Sequence, residues 1–208
     1  MGRFYRMADI IPEGTSGKVQ VKHFTIDRDQ GRWLLHPGER ISHGRYAQLV
    51  IFGAVIMSDT DMELRTNLDP VLDAKGDVLI AGLGLGMILL PILARFNVTS
   101  VTVVEKNPDV IALIEPAVRQ WMADHTPHQQ LTIIQADIKK WRPDLVRGKR
   151  ARIYDYVYFD IWTDICLDNL ADMHILHGAF RPHLRKGGKM ASWQRDHLIE
   201  CRRTGRWR

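Results

Sequence analysis

Cysteine is nearly absent from this chain: Cys166 and Cys201 are the only two in 208 residues, and neither sits in a CxxC pair or at metal-ligand spacing. No disulfide framework and no zinc site is indicated, and a reducing, cytoplasmic location is the expectation. Membrane-scale apolar runs are missing too. The longest stretch without a charge, Val78 to Ala94, is 17 residues long and carries three alternate glycines. That is the short limit for a membrane span, so a transmembrane helix is the poorer reading. The opening "MGRFYRMADIIPEG" has no apolar run of signal-peptide length, and Arg6 stands where a myristoylation motif needs Ser or Thr. Acids are absent from the last eight residues, "CRRTGRWR", whose four arginines supply most of the net charge of +5. A solvated basic tail is expected there in preference to a phosphate-binding arm, and the remaining chain carries a net charge of only +1.

At 45% hydrophobic and 25% charged, the composition is that of one globular domain with an ordinary core and a small appendage. Residues 1–57 read as the appendage, an N-terminal β-rich segment. In it "KVQVKHFTI" alternates in part, "HPGER" and "ISHG" are turn signals, and "YAQLVIFGAVIM" is a β-rich run broken at Gly53. Residues 58–75, with "TDMELRTNLDPVLD", form a polar, helix-compatible linker with a break or helix start at Asp69-Pro70. From 76 to 195, apolar strands alternate with amphipathic helices, the pattern of a parallel sheet wrapped by helices. The strands are "DVLIAGLG", "VTSVTVVE", "QLTIIQAD", "YDYVYFDIW" and "GGKMASW". The first helix is expected near Met87, with Pro91 in or just past its first turn. The second, "NPDVIALIEPAVRQWMADH", has Asn107 to cap it and Pro108 at the first helical position. Val110, Ile111, Ile114, Val118, Trp121 and Met122 share one face, and a bend is expected at Pro116. A last helix covers about 166–184, and 196–208 is the basic tail. The fold class expected is α/β, a doubly wound, mostly parallel sheet.

In Gly82-Leu83-Gly84-Leu85-Gly86 the glycines fall where the first strand must turn into a helix. Glycine permits the sharp turn and a close approach of ligand to backbone, and a helix N-terminus offers N–H groups to polar atoms. A dinucleotide fingerprint would put its third glycine at position 87, which is Met87. The spacing is GxGxG instead. That spacing, between an apolar strand and a helix, resembles motif I of the class I S-adenosylmethionine-dependent methyltransferases, whose sheet is Rossmann-like. Three acids arrive in the matching order: Glu105 ends the second strand, Asp137 the third and Asp160 the fourth. The resemblance implies S-adenosylmethionine as cofactor, held by Gly82, Gly84, Gly86, Glu105, Asp137 and Asp160. Glu105 would accept both ribose hydroxyls, and Asp137 would lie near the adenine amino group. Each residue also has a plainer reading: a tight turn at the glycines, a solvated strand end at Glu105, a cap for "IKKW" at Asp137, a cap for the 163–168 turn at Asp160.

The segment "FGAVIMSDTDMELRTNLDPVLDAKGDVLIAGLGLG" is similar to the spermidine synthases, a likeness that covers about residues 45–165. That family's catalytic loop has an Asp ending strand four and a second Asp three residues on. Here the loop is Asp160-Ile161-Trp162-Thr163-Asp164, one residue longer, which implies Asp160 and Asp164 as catalytic residues. The departures are equally specific. The family's Gln falls on Met57, and its Tyr-His-Glu falls near Thr66-Asn67-Leu68, so the side chains that hold a diamine are missing. The acids that meet the methionine ammonium fall on Leu85 or Ile80. Some other group must take that ammonium, with Asp59, Asp61 and Asp160 as candidates.

The resemblance implies a transferase, foremost a methyltransferase of spermidine-synthase-like type with a small-molecule acceptor. An aminopropyltransferase and a non-catalytic nucleotide-binding scaffold are the alternatives. Asp160 sits where a base for the acceptor's proton belongs, and Trp162 and Tyr158 could wall a planar or cationic substrate. "DIWTD" lacks the Asn/Asp-Pro-Pro-aromatic and Pro-Cys loops of base-methylating enzymes, which disfavours nucleic acid as a partner. No metal and no membrane partner is expected. These methyltransferases usually add a β-hairpin after strand five, yet only 15 residues follow Trp193. Strand five is therefore expected to be an edge, covered in a homodimer or by the N-terminal segment, or left open in a naturally truncated chain.

Overall fold

The computed structural model describes residues 4–27, 41–143, 145–146, 149–150 and 153–206; the expected turn at "HPGER" lies outside them. In chain order the strands are β1 (Gly14–Ser16), β2 (Val19–Ile26), β3 (Gly44–Ile51), β4 (Ala54–Ser58), β5 (Gly76–Ala81), β6 (Val98–Glu105), β7 (Gln130–Gln135), β8 (Leu145–Val146), β9 (Lys149–Arg150), β10 (Tyr154–Phe159) and β11 (Leu184–Ser192). The helices are α1 (Asp61–Thr66), α2 (Leu68–Asp73), α3 (Leu89–Leu93), α4 (Pro108–His125), α5 (Asn169–Phe180) and α6 (Arg195–Thr204). The chain forms two compact units. One comprises Met1–Leu72, Leu83–Arg95 and Asn107–Gln129; the other comprises Asp73–Gly82, Phe96–Lys106 and Gln130–Arg208.

The first unit holds an antiparallel sheet in the order β1-β2-β3-β4. Phe52 (φ 52°) and Gly53 (φ 83°) are both left-handed, so the β3–β4 hairpin closes through a turn whose twist suits its strands. Tyr46 is fully buried, stacks on Phe24 at 5.4 Å and packs with Ile26 and Ile41. In α4, the Asn107 side chain accepts the Asp109 N–H at 3.0 Å and Pro108 opens the first turn, so the capping expected from sequence is what forms. Val110, Ile114, Val118, Trp121 and Met122 are buried on one face, while Ile111 is only partly covered. The helix is tied to β1 where Ser16 Oγ donates to Asp109 at 2.7 Å.

The second unit is built on a five-stranded sheet, parallel throughout, in the order β11-β10-β5-β6-β7. The chain lays down β5, β6 and β7 in one direction, then returns to place β10 and β11 on the other side of β5. Strand order therefore reverses between β5 and β10. On one face Leu79, Ala81, Val104, Val157 and Phe159 pack with Leu176 and Phe180 of α5, where Phe159 meets Phe180 edge-on at 5.3 Å. The architecture is α/β with a Rossmann-like parallel sheet, accompanied by a small antiparallel sheet of N-terminal strands.

Three details differ from the sequence expectation. The helix after the glycines begins at Leu89 rather than Met87, and it lasts five residues. The helix expected at 166–184 is α5 from Asn169 to Phe180, followed by a 3₁₀ turn over Arg181–His183. The basic tail expected from 196 is largely helix α6, in which Leu198 and Cys201 are fully or almost fully buried. Two apolar residues three apart suffice to dock that helix; Arg202 and Arg203 suit the negative end of its dipole, and Gly205 (φ 67°) stops it. Among the described residues β11 bonds to β10 alone, and the N-terminal strands keep to their own sheet instead of extending that edge.

Candidate functional site

Parallel pairing sets the carboxyl ends of four strands side by side. Ala81 is in register with Phe159 on one side and Val104 on the other, and Glu105 is in register with Gln135. Main-chain bonds run one residue past the strands: Gly82 N–H to Val104 O at 2.9 Å, Ala136 N–H to Glu105 O at 2.9 Å, and Asp160 N–H to Ala81 O at 2.8 Å. At about 4.8 Å per strand, Asp160, Gly82, Glu105 and Asp137 follow one another along roughly 15 Å of sheet edge. The Asp160–Gly82 step is the point where strand order reverses, the usual ligand crevice of an open α/β sheet.

Gly82 is the tightest point of this edge. Its φ is 98°, and a Cβ there would lie 2.2 Å from the Asp160 carbonyl oxygen. Only glycine lets β5 and β10 end so close together. Gly84 (φ 51°) and Gly86 (φ 78°) are left-handed as well. A Cβ on Gly84 would stand 2.4 Å from Met57 Sδ, and that sulfur accepts the Leu85 N–H at 3.3 Å. The Gly86 N–H closes the turn onto Leu83 O at 2.9 Å. The tight turn expected from the sequence is present, with two of its N–H groups engaged within the protein. The expected helix start at Met87 is replaced by turn residues at 87 and 88.

The acids differ in setting. Glu105, Asp137 and Asp160 are partly buried, and Asp164 is exposed. Asp137 accepts the Lys139 N–H through Oδ1 at 3.0 Å, and its carbonyl takes the Lys140 and Trp141 N–H groups, so it does cap the turn that follows. The Asp164 carbonyl accepts Asn169 Nδ2 at 2.9 Å, which ties it to the first residue of α5. Tyr158 is 2% exposed and belongs to the core, so it does not wall a substrate as expected; its place in a strand covered on both faces decides this. Trp162 is half-buried against the Phe159 cluster, and its Nε1 has no hydrogen-bond partner.

Two of the three candidate ammonium acceptors are otherwise engaged. Asp59 is fully buried and accepts Met7 N–H at 2.6 Å and Ala47 N–H at 2.7 Å. Burial pushes its carboxyl up, and those two backbone bonds oppose the shift. Asp61 accepts both the N–H and the hydroxyl of Ser42 and pairs with Arg6 at 3.3 Å. Both acids clamp the antiparallel sheet. Ile80 and Leu85, where the families place acids, are buried apolar side chains.

The sequence reading passed over Glu63. Burial pushes its carboxyl up to about 7, opposed only by a bond from the Ser58 backbone. An acid in a first helical turn reads as an ordinary dipole partner, and nothing local announces its burial. Among the described residues no cluster of three His, Cys, Asp or Glu side chains could hold a metal ion, and no helix is long and apolar enough to cross a membrane.

The fold defines an architecture: a Rossmann-like parallel sheet accompanied by a small antiparallel sheet. Solved structures similar to it include a spermidine synthase from Thermotoga maritima, at TM-score 0.47 and 16% identity over 87% of this chain and 55% of that one. A candidate sarcosine dimethylglycine methyltransferase from Galdieria sulphuraria matches at TM-score 0.45 and 16% identity, over 64% of this chain and 49% of that one. Coclaurine N-methyltransferase, solved with N-methylheliamine and SAH, matches at TM-score 0.43 and 17% identity, over 62% and 33% of the two chains. The matched regions span between a third and just over half of those chains. No family model and no curated protein matches the sequence.

Proposed function

We propose that this chain is an S-adenosylmethionine-dependent transferase, a methyltransferase of spermidine-synthase-like type acting on a small-molecule acceptor. The observation that supports it is the level strand edge at the β5–β10 reversal, where Gly82, Glu105, Asp137 and Asp160 follow one another. The residues suit the nucleoside half of the cofactor. Glu105 is fixed at the end of β6 by the bond from Ala136 and would accept the ribose hydroxyls, and Asp137 would sit by the adenine amino group. The cofactor's contribution is an electrophilic methyl on a sulfonium.

Asp160 is the residue assigned to proton removal from an amine acceptor, since its backbone is pinned at the reversal by Ala81 O. Asp164, anchored through Asn169, would orient the acceptor. Asp59 and Asp61 are engaged within the antiparallel sheet, and which group meets the ligand ammonium is left to the titration below.

The contact of Met57 with the Leu85 N–H favours a second reading: a non-catalytic scaffold whose glycine turn is closed by its own protein. Calorimetric titration with S-adenosylmethionine, its demethylated product and its decarboxylated form separates the two. Binding that Glu105→Ala weakens sharply supports the transferase. Failure of all three to bind a folded protein leaves the scaffold.

A further inference from the structure

Helix α5 is apolar on two sides. Met173, Leu176 and Phe180 are buried on one, while Leu170, Ala171 and Ile175 line an open groove shared with α6, where Ile199 stands across from them. The groove has a volume of about 940 Å³, at the large end of the range for small-molecule sites. Ile175 is 65% exposed and Ile199 40%, an apolar floor of the kind that soluble proteins seldom leave bare.

Three arginines stand on the rim. Arg195, Arg202 and Arg203 line it, against one carboxylate, Asp168. Arg203 is held by both Glu200 oxygens, at 2.7 and 3.0 Å. Arg195 is not matched in this way: its nearest acid oxygen is on Asp196 at 3.7 Å, and its Nε is buried without an acceptor. No carboxylate among the described residues is paired with Arg202. A buried guanidinium N–H without a partner is costly, and an incoming anion relieves that cost.

We infer that the α5–α6 groove binds a long-chain carboxylate, its apolar tail along Leu170, Ile175 and Ile199 and its headgroup on Arg195 and Arg202. The site is independent of the strand edge and of the activity proposed there.

The test is calorimetric titration of the full chain with dodecanoate below its micelle-forming concentration, with acetate and dodecyltrimethylammonium in parallel. Saturable binding of dodecanoate alone is expected. Arg202→Gln should weaken it about tenfold, and Ile175→Asp, at an exposed position, should abolish it with the circular dichroism and melting temperature kept. Equal binding of the cationic amphiphile, or binding indifferent to Ile175→Asp, overturns the proposal. So does a concentration-dependent mass in light scattering that Ile175→Asp removes while dodecanoate fails to bind, since the groove then seats a second copy. Binding only to anionic vesicles, and not to monomeric dodecanoate, overturns it as well.

Discussion

The two ends of the parallel sheet hold their acids in different ways. At the amino end, Asp77 opens β5 and Asp155 lies near the start of β10. Arg185 at the start of β11 reaches both, at 2.6 and 2.5 Å. The Asp77 N–H donates to Asp155 at 2.9 Å, and Ser100 donates to Asp77 at 2.5 Å. Burial alone would raise the Asp77 carboxyl, but the Ser100 hydroxyl and Arg185 hold it below its ordinary value. At the carboxyl end the acids follow the last ladder bonds, Asp160 beside the strand reversal and Glu105 and Asp137 further along the edge. Charge at the start of the strands fastens them together, and charge at their ends is where a ligand would be read.

Each end has a glycine that cannot be replaced without strain, and they are the sharpest way to test this contrast. Gly82→Ala drives a methyl into the Asp160 carbonyl, which is backbone and cannot swing away; a loss of about 3 kcal/mol is expected by denaturant unfolding. At Gly76 (φ 60°) the methyl meets the Asp155 carboxylate, a side chain that can rotate, so Gly76→Ala should lose about half as much. Equal losses would break the contrast. Glu105→Ala should lower S-adenosylmethionine affinity roughly thirtyfold, about 2 kcal/mol, with the melting temperature unchanged; a folding defect with intact binding would assign Glu105 to the structure.

Glu63 lies outside both ends and shows what burial alone does to an acid. Its pKa is about 7 in the fold against 4.5 in the open chain, so its contribution to stability is fully present below 4.5 and is lost as pH rises through 7. Glu63→Gln removes that slope. Relative to the parent, the variant should gain on the order of 2 kcal/mol between pH 4.5 and pH 8, and parallel pH–stability curves would show that the group is solvated. The smallest effect is expected at the amino end. Arg185 is 42% exposed, so Arg185→Met should lose about 1 kcal/mol at neutral pH, with the loss shrinking once the two aspartates are protonated. Cofactor binding should not change.

The parallel sheet was legible because buried strands write themselves as apolar runs between turn signals, and α4 because Asn107 and Pro108 announce its start. Helix α6 was hidden by its charges, since Leu198 and Cys201 are too few to draw a stripe. At the strand edge, GxGxG and the strand-end acids could be placed from the sequence. The bond from Leu85 to Met57 could not, because it joins residues 28 apart by a chain path no local pattern encodes. The same holds for Asp59 and Asp61, whose backbone donors come from distant segments.

The strand order also sets a timetable for synthesis. β5 is the central strand, yet its partner β10 lies about 80 residues further along, so at ribosomal rates of 5–20 residues per second it waits roughly 4 to 16 seconds for one of its two neighbours. During that interval the row Val78, Leu79, Ile80 and Ala81 has β6 on one side and nothing native on the other. This deeply buried strand is thus a temporary sheet edge in the nascent chain, a place where binding by a chaperone would have much to protect.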